Sequence, residues 1–121
     1  MLNDFYVIID KTHLAEGKYE YKIRLNEKHE IFKGHFPDNP VTPGVCMLQI
    51  IKNITEEITQ KKLFLSKTAN VKFMALINPE ITPEVTLAFD ITENTDTVIV
   101  KNTSSFNDTV ALKLTNTYQI C

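Results

Sequence analysis

Between Pro43 and Gln60 the turn formers vanish, and Val45 to Ile51 are apolar with the single exception of Gln49. Met47, Ile51, Ile54 and Ile58 continue at helical spacing while Lys52, Asn53, Glu56 and Glu57 take the other side, a pattern that predicts one helix of about five turns. Thr42 is placed to cap its free amides, Pro43 suits the first helical position, and Lys61 and Lys62 complement the negative end of its dipole. The first half of this helix is apolar nearly all round, so something must enclose it. The rest of the chain supplies the enclosure: 35 β-branched residues (14 Thr, 13 Ile, 8 Val) stand beside only three glycines, and branching at Cβ favours the pleated strand. The simplest arrangement is α+β, an antiparallel sheet wrapped around one central helix.

The strands are legible to different degrees. Tyr19, Tyr21, Ile23 and Leu25 alternate with Lys18, Glu20, Lys22 and Arg24, the period of a half-buried strand. Phe5 to Ile9 is a short apolar run that fits either a strand or a turn of helix at a sheet edge. Val71, Phe73 and Ala75 alternate weakly before Asn78 to Pro83 breaks the chain with two prolines. Val85, Leu87, Phe89 and Ile91 form the next alternating run, Asn94 to Asp96 turns into a strand through Val98 and Val100, and Val110 to Ile120 is the last. These four C-terminal segments read as an antiparallel meander. With no linker, repeat or low-complexity tract, residues 1–121 read as a single domain.

Composition narrows the function. The net charge of -2 supplies no positive field for phosphate backbones, which argues against nucleic acid. The stretch from Val41 to Ile51 falls short of the roughly 20 residues a membrane span needs. The apolar run from Phe5 to Ile9 is closed at once by Asp10 and Lys11, too short for a signal peptide, so a cytoplasmic home is expected. Cys46 and Cys121 form no C-x-x-C pair or Cys/His cluster, so neither a disulfide framework nor a metal site is expected.

Two of the three glycines and three of the five prolines fall within Gly34 to Gly44. The run reads Gly34-His35-Phe36-Pro37-Asp38-Asn39-Pro40-Val41-Thr42-Pro43-Gly44-Val45, a stiff loop that holds a histidine just ahead of a helix start. Free N–H groups there can bind a polarised carbonyl oxygen while the imidazole acts on a neighbouring atom. The spacing alone leaves open the plainer alternative of a rigid loop with a surface or packed histidine.

Gly34-His35-Phe36-Pro37, then Pro40 and Pro43-Gly44-Val45 leading into a buried helix, resembles the signature of the hot-dog-fold 3-hydroxyacyl-(acyl-carrier-protein) dehydratases. About a dozen positions agree closely, and the helix-then-strands order extends the resemblance loosely over most of the chain. It implies a sheet wrapped round one helix, paired into a homodimer or higher homo-oligomer with continuous sheets. It also implies a substrate carried as an acyl thioester on acyl carrier protein or coenzyme A, with no cofactor. By position, His35 would remove a proton alpha to the thioester carbonyl and the Gly44 amide would bind the carbonyl oxygen, with Phe36 and Val45 beside it against the substrate.

The third role of that family departs here. An acid from the partner's helix protonates the departing hydroxyl, fourteen residues after the motif histidine, and in this chain that position is Gln49. An amide cannot donate that proton, and a positioned acid is typically worth about 10² to 10⁴ in rate. Glu56 and Glu57 lie about 11 Å further along the helix, too far to substitute simply. Three expectations follow: a dehydratase using another acid, such as water ordered by Gln49; a hot-dog thioesterase in which Gln49 orients a hydrolytic water; or an incomplete subunit that forms a heterodimer with an acid-bearing paralogue. The bland reading of Gln49 is a hydrogen-bonded polar residue in the dimer core.

Other residues carry less. His13 reads as a solvated loop residue; His29, six before His35, could line the site, but the surface reading is the better one. Cys46 near a helix start could be nucleophilic, but a packed small hydrophobe is the better reading. Met47 and Met74 suit a core or an acyl tunnel. Lys61, Lys62, Lys67 and Lys33 are candidates for docking an acidic carrier protein, against the plainer reading of solvated lysines.

Overall fold

The computed structural model of the chain describes residues 4–34 and 41–121. Helix α2 (Gly44–Thr59) runs against a six-stranded sheet made of β1 (Tyr6–Ala15), β2 (Lys18–Leu25), β3 (Leu63–Phe73), β4 (Glu84–Glu93), β5 (Thr97–Phe106) and β6 (Thr109–Ile120). A single turn, α1 (Ile31–Gly34), follows β2. The strand order is β1-β2-β4-β5-β6-β3 and every neighbouring pair is antiparallel. The sheet and its one long helix are the expected α+β arrangement.

Burial explains the layering. Met47, Ile50, Ile51 and Ile54 of α2 are at most 1% exposed and share the core with Ile23, Val85, Leu87, Val98, Val100, Leu112 and Tyr118 from four different strands. Each such side chain removed from water contributes roughly 1.5–3 kcal/mol, so this face of the helix is the main bond between the two layers. Strand β2 has the predicted bounds, with Tyr21, Ile23 and Leu25 buried and the alternate residues exposed. At the β1–β2 turn Gly17 has φ +74, and a Cβ there would meet the Ile91 carbonyl oxygen at 2.7 Å, so no larger residue fits without displacing β4.

The structure corrects four expectations. The meander has three strands, β4-β5-β6; β3 lies beside β6 at the opposite side from β4, because the segment 74–83, broken by Pro79 and Pro83, carries the chain across the molecule. Strand β3 also starts at Leu63, well before the Val71 alternation. It is an edge strand with most of its residues exposed, so it lacks a clean period of two. His13 is on β1 rather than in a loop; it sits opposite Tyr19 in register and stacks on its ring at 4.4 Å. Helix α2 ends at Thr59 with Gln60 in the left-handed conformation, so no lysine lies in its last turn, and Lys61 instead pairs with Glu93 at 2.9 Å.

The polar side of α2 is half-buried rather than wet. Glu56 accepts the Leu63 amide at 2.9 Å, which ties the helix end to β3. Glu57 accepts the Tyr21 hydroxyl at 2.9 Å and pairs with Lys11 at 3.0 Å, which ties it to β1 and β2. Burial pushes the Glu57 carboxyl up, but the Lys11 and Tyr21 hydrogen bonds outweigh it and hold the group below the usual glutamate range. A carboxyl lowered in the folded state adds stability that is full above its unfolded pKa of about 4.3 and is lost as pH falls through the lower folded value. Glu57→Gln should therefore lower stability at pH 7 by only about 0.2–1 kcal/mol, as befits a partly exposed pair. It should also flatten the loss of melting temperature between pH 5 and pH 3; equal slopes for parent and variant would show that Glu57 is not the group responsible.

Candidate functional site

The start of α2 is built without a side-chain cap. Pro43 occupies the cap position with φ -62 and ψ 145, and the Cys46 and Met47 amides reach back to its carbonyl at 3.0 and 3.3 Å. The amides of Gly44 and Val45 take no acceptor among the described residues. They remain as donors at the positive end of the helix dipole. Thr42, expected as the cap, lies one residue too early, where its hydroxyl cannot reach the second or third helical amide. It is 7% exposed, its backbone N–H donates to the Ile77 carbonyl at 2.8 Å, and its buried Oγ1 has no hydrogen-bond partner among the described residues.

Gly44 opens on a cleft of about 490 Å³ between the helix start, the end of β3 with the segment after it, and β6. Met47, Phe73, Met74, Leu76, Ile77 and Leu112 make its wall apolar, and Thr42 and Gly44 line it beside them. That volume suits a small acyl ligand. The Phe73 ring lies directly over Gly44: a Cβ added there would meet Phe73 Cζ at 2.8 Å. Phe73, Met74 and Leu76 are 59, 49 and 70% exposed, so the outer wall of the cleft is an apolar surface open to solvent. A second cleft of about 530 Å³ lies by the β1–β2 turn, lined by His13, Tyr19, Ile58 and Glu93, and has no helix start beside it.

The remaining site residues are placed as follows. His35 and Phe36 lie outside the described residues. Gly44 lines the first cleft, and Val45 is 70% exposed. Gln49 is half-buried and donates through Nε2 to Asn53 Oδ1 at 2.8 Å. Five residues of helix put Gln49 about 140° round and about 7.5 Å along from Gly44. Among the described residues that line the cleft at Gly44, Gln49 does not appear. Met47 and Met74 line the cleft. Cys46 is 2% exposed and burial pushes its thiol up, which fits a packed side chain and not a nucleophile. His29 is not a free surface residue, since its Nδ1 accepts the Ile31 amide at 3.1 Å and its ring meets Phe5 edge-on at 5.2 Å. Phe73 and Asn53 carry no motif signal as site residues, although Asn53 lies one turn after Gln49, and Thr42 is marked by the sequence only as the helix cap.

The ApeI-like family, described as ApeI dehydratase, matches residues 11–113. The chain belongs to the ApeI-like dehydratase family. It is similar to the 3-hydroxyacyl-(acyl-carrier-protein) dehydratase FabZ of Sulfurovum sp. (strain NBC37-1), 30% identical over 90 residues that cover 61% of this chain and 60% of that protein. The FabZ of Bacillus cereus (strain AH820) is 29% identical over 83 residues, covering 61% and 58%. The chain thus spans about 60% of the length of the curated relatives it matches. Among solved structures, the dehydratase heterocomplex ApeI:P from Xenorhabdus doucetiae aligns over 95% of this chain and 96% of that one at TM-score 0.72 and 18% identity. A hypothetical thioesterase protein with coenzyme A from Streptococcus pneumoniae TIGR4 aligns over 100% and 91% at TM-score 0.69 and 9% identity. The ApeI-like chain therefore has the hot-dog fold expected from its motif.

The orphaned Thr42 hydroxyl yields a direct expectation. Replacing a buried, unpaired hydroxyl by a methyl removes a desolvation cost of about 1–3 kcal/mol. Thr42→Val should raise the urea midpoint without changing its slope; a lower midpoint would mean that the hydroxyl has a partner in solution.

Proposed function

We propose that this ApeI-like chain acts on 3-hydroxyacyl thioesters, on acyl carrier protein or coenzyme A, and eliminates water to give the trans-2-enoyl thioester. The observation that carries the reading is the apolar cleft lined by Gly44 at a helix start, whose amide has no acceptor among the described residues. In this reading the acyl chain lies against Met47 and Leu112, and the thioester oxygen accepts the Gly44 N–H, which stabilises the negative charge that develops there. His35 takes the proton from C2, the C2–C3 double bond forms as the C3–O bond breaks, and the hydroxide leaves as water once it gains a proton.

The source of that last proton decides between two versions of the proposal. In a self-paired dimer Gln49 would occupy the acid's place and supply none, so turnover would be slow by about 10² to 10⁴. In a heterodimer an acid-bearing paralogue would complete the site around His35 and Gly44 of this chain. The heterocomplex aligned above gives the second version a precedent for pairing in this fold. Gly44 and Gln49, turned to different sides of α2, also suit a site assembled from two chains. Exposed Val71, Phe73, Met74 and Leu76 along the β3 edge offer a surface for such pairing. A reducing cytoplasm suits the two free thiols.

The test is to follow the purified chain with a 3-hydroxyacyl thioester and with the matching enoyl thioester, watching double-bond absorbance and free thiol. Slow interconversion is expected. Gln49→Glu should speed it about 10²-fold or more, and His35→Ala should abolish it. Release of thiol without a change at the double bond would instead make the protein a thioesterase. If pairing with an acid-bearing paralogue restored turnover but His35→Ala in this chain left it untouched, the assignment of His35 would be wrong.

A further inference from the structure

Gly44 is a glycine for reasons of space. Its φ is not positive, so the backbone there makes no demand for glycine, but a Cβ would meet Phe73 Cζ at 2.8 Å and Cε1 at 3.2 Å. The Phe73 ring thus occupies the place that a side chain at position 44 would take, and it bridges the edge strand β3 and the start of α2. The backbone around this contact is tied down. Phe73 lies opposite Leu112 in register, and the Met74 and Ala75 amides both donate to the Ala111 carbonyl, at 2.8 and 3.4 Å. On the helix side, the Thr42 amide donates to the Ile77 carbonyl at 2.8 Å. The cleft wall cannot back away from the helix start without breaking these bonds, each of which would leave a backbone group unpaired. Room beside Gly44 is therefore set by the Phe73 ring.

We infer that Phe73 is a specificity-determining residue that admits thioesters unbranched at C2 and rejects those carrying a methyl there. The inference rests on the thioester reading and extends it to the shape of the acyl group. With the carbonyl oxygen accepting the Gly44 N–H, C2 is one bond from the carbonyl carbon and so lies close to Gly44 and to the ring resting on it. A methylene at C2 presents only hydrogens to that ring. A methyl there competes with the ring for the same space, and one misfitting carbon in an apolar pocket is worth about 10- to 200-fold in selection. The restriction is separate from the chemistry, because a 2-methyl thioester still carries a C2 proton. Branches further along the chain lie among Met47, Ile77 and Leu112, away from Gly44, and escape it.

The experiment measures Kd for three isomers, pentanoyl-, 2-methylbutanoyl- and 3-methylbutanoyl-coenzyme A, whose equal composition cancels differences in apolar content. The full chain carries His35→Ala so that no ligand is turned over. The pentanoyl thioester should bind about tenfold or more tightly than the 2-methyl isomer, with the 3-methyl isomer close to the straight chain. Phe73→Leu should bring the ratio toward one by raising affinity for the 2-methyl isomer. Gly44→Ala should weaken all three, because its Cβ collides with the ring, and adding Phe73→Leu should restore part of that loss. Equal binding of the straight and 2-methyl isomers by the parent overturns the inference and leaves the thioester reading standing. So does equal rejection of the 2-methyl and 3-methyl isomers, which would mean a cleft narrow along its length. An unchanged ratio in Phe73→Leu shows that the ring is not the wall. Binding of none of the three removes the thioester reading and the inference with it.

Discussion

The burial of one face of α2 sets the position of every group in the site. Met47, Ile50, Ile51 and Ile54 are closed off by the sheet, and that contact fixes both the rotation of the helix and the place where it begins. Once the rotation is set, Gly44 must open toward Phe73 and Leu112, and Gln49 must face the other way. A hydrophobic contact thus decides where two hydrogen-bonding groups point, although neither takes part in it.

The opposite side of the helix carries a second layer of control. Asn53, Glu56 and Glu57 could have been left to water, yet each is bonded to a strand or to the chain leaving the helix. These bonds are modest singly and directional together. They add directional ties to a helix whose rotation the apolar contact already sets. The apolar contact sets the side of α2 from which Gln49 leaves, and the bond to Asn53 engages its amide nitrogen.

Some of this was legible in the sequence and some was not. Strand β2 could be read residue by residue because one of its faces is buried and the other wet, and α2 because its apolar stripe is dense. Strand β3 was read too short and assigned the wrong neighbour, since an edge strand with few buried residues has little periodicity and pairing order is a property of the whole sheet. The motif from Gly34 to Val45 marked the right end of the helix, but the role of Thr42 was misjudged by one position, where Pro43 takes the cap instead. The link from Asn53 to Tyr6 joins residues 47 apart, and no local pattern announces such a contact. Phe73 over Gly44 is of the same kind.

The central claim is that an acyl thioester places its carbonyl on the Gly44 amide at the mouth of the cleft. It is tested most directly by amide and methyl NMR of the labelled chain during titration with an acyl-coenzyme A. The account predicts a downfield shift of the Gly44 amide together with changes at the Met47 and Leu112 methyls. Changes confined to Gly17, Tyr19 and Ile91 around the other cleft, with Gly44 unmoved at saturation, would contradict it.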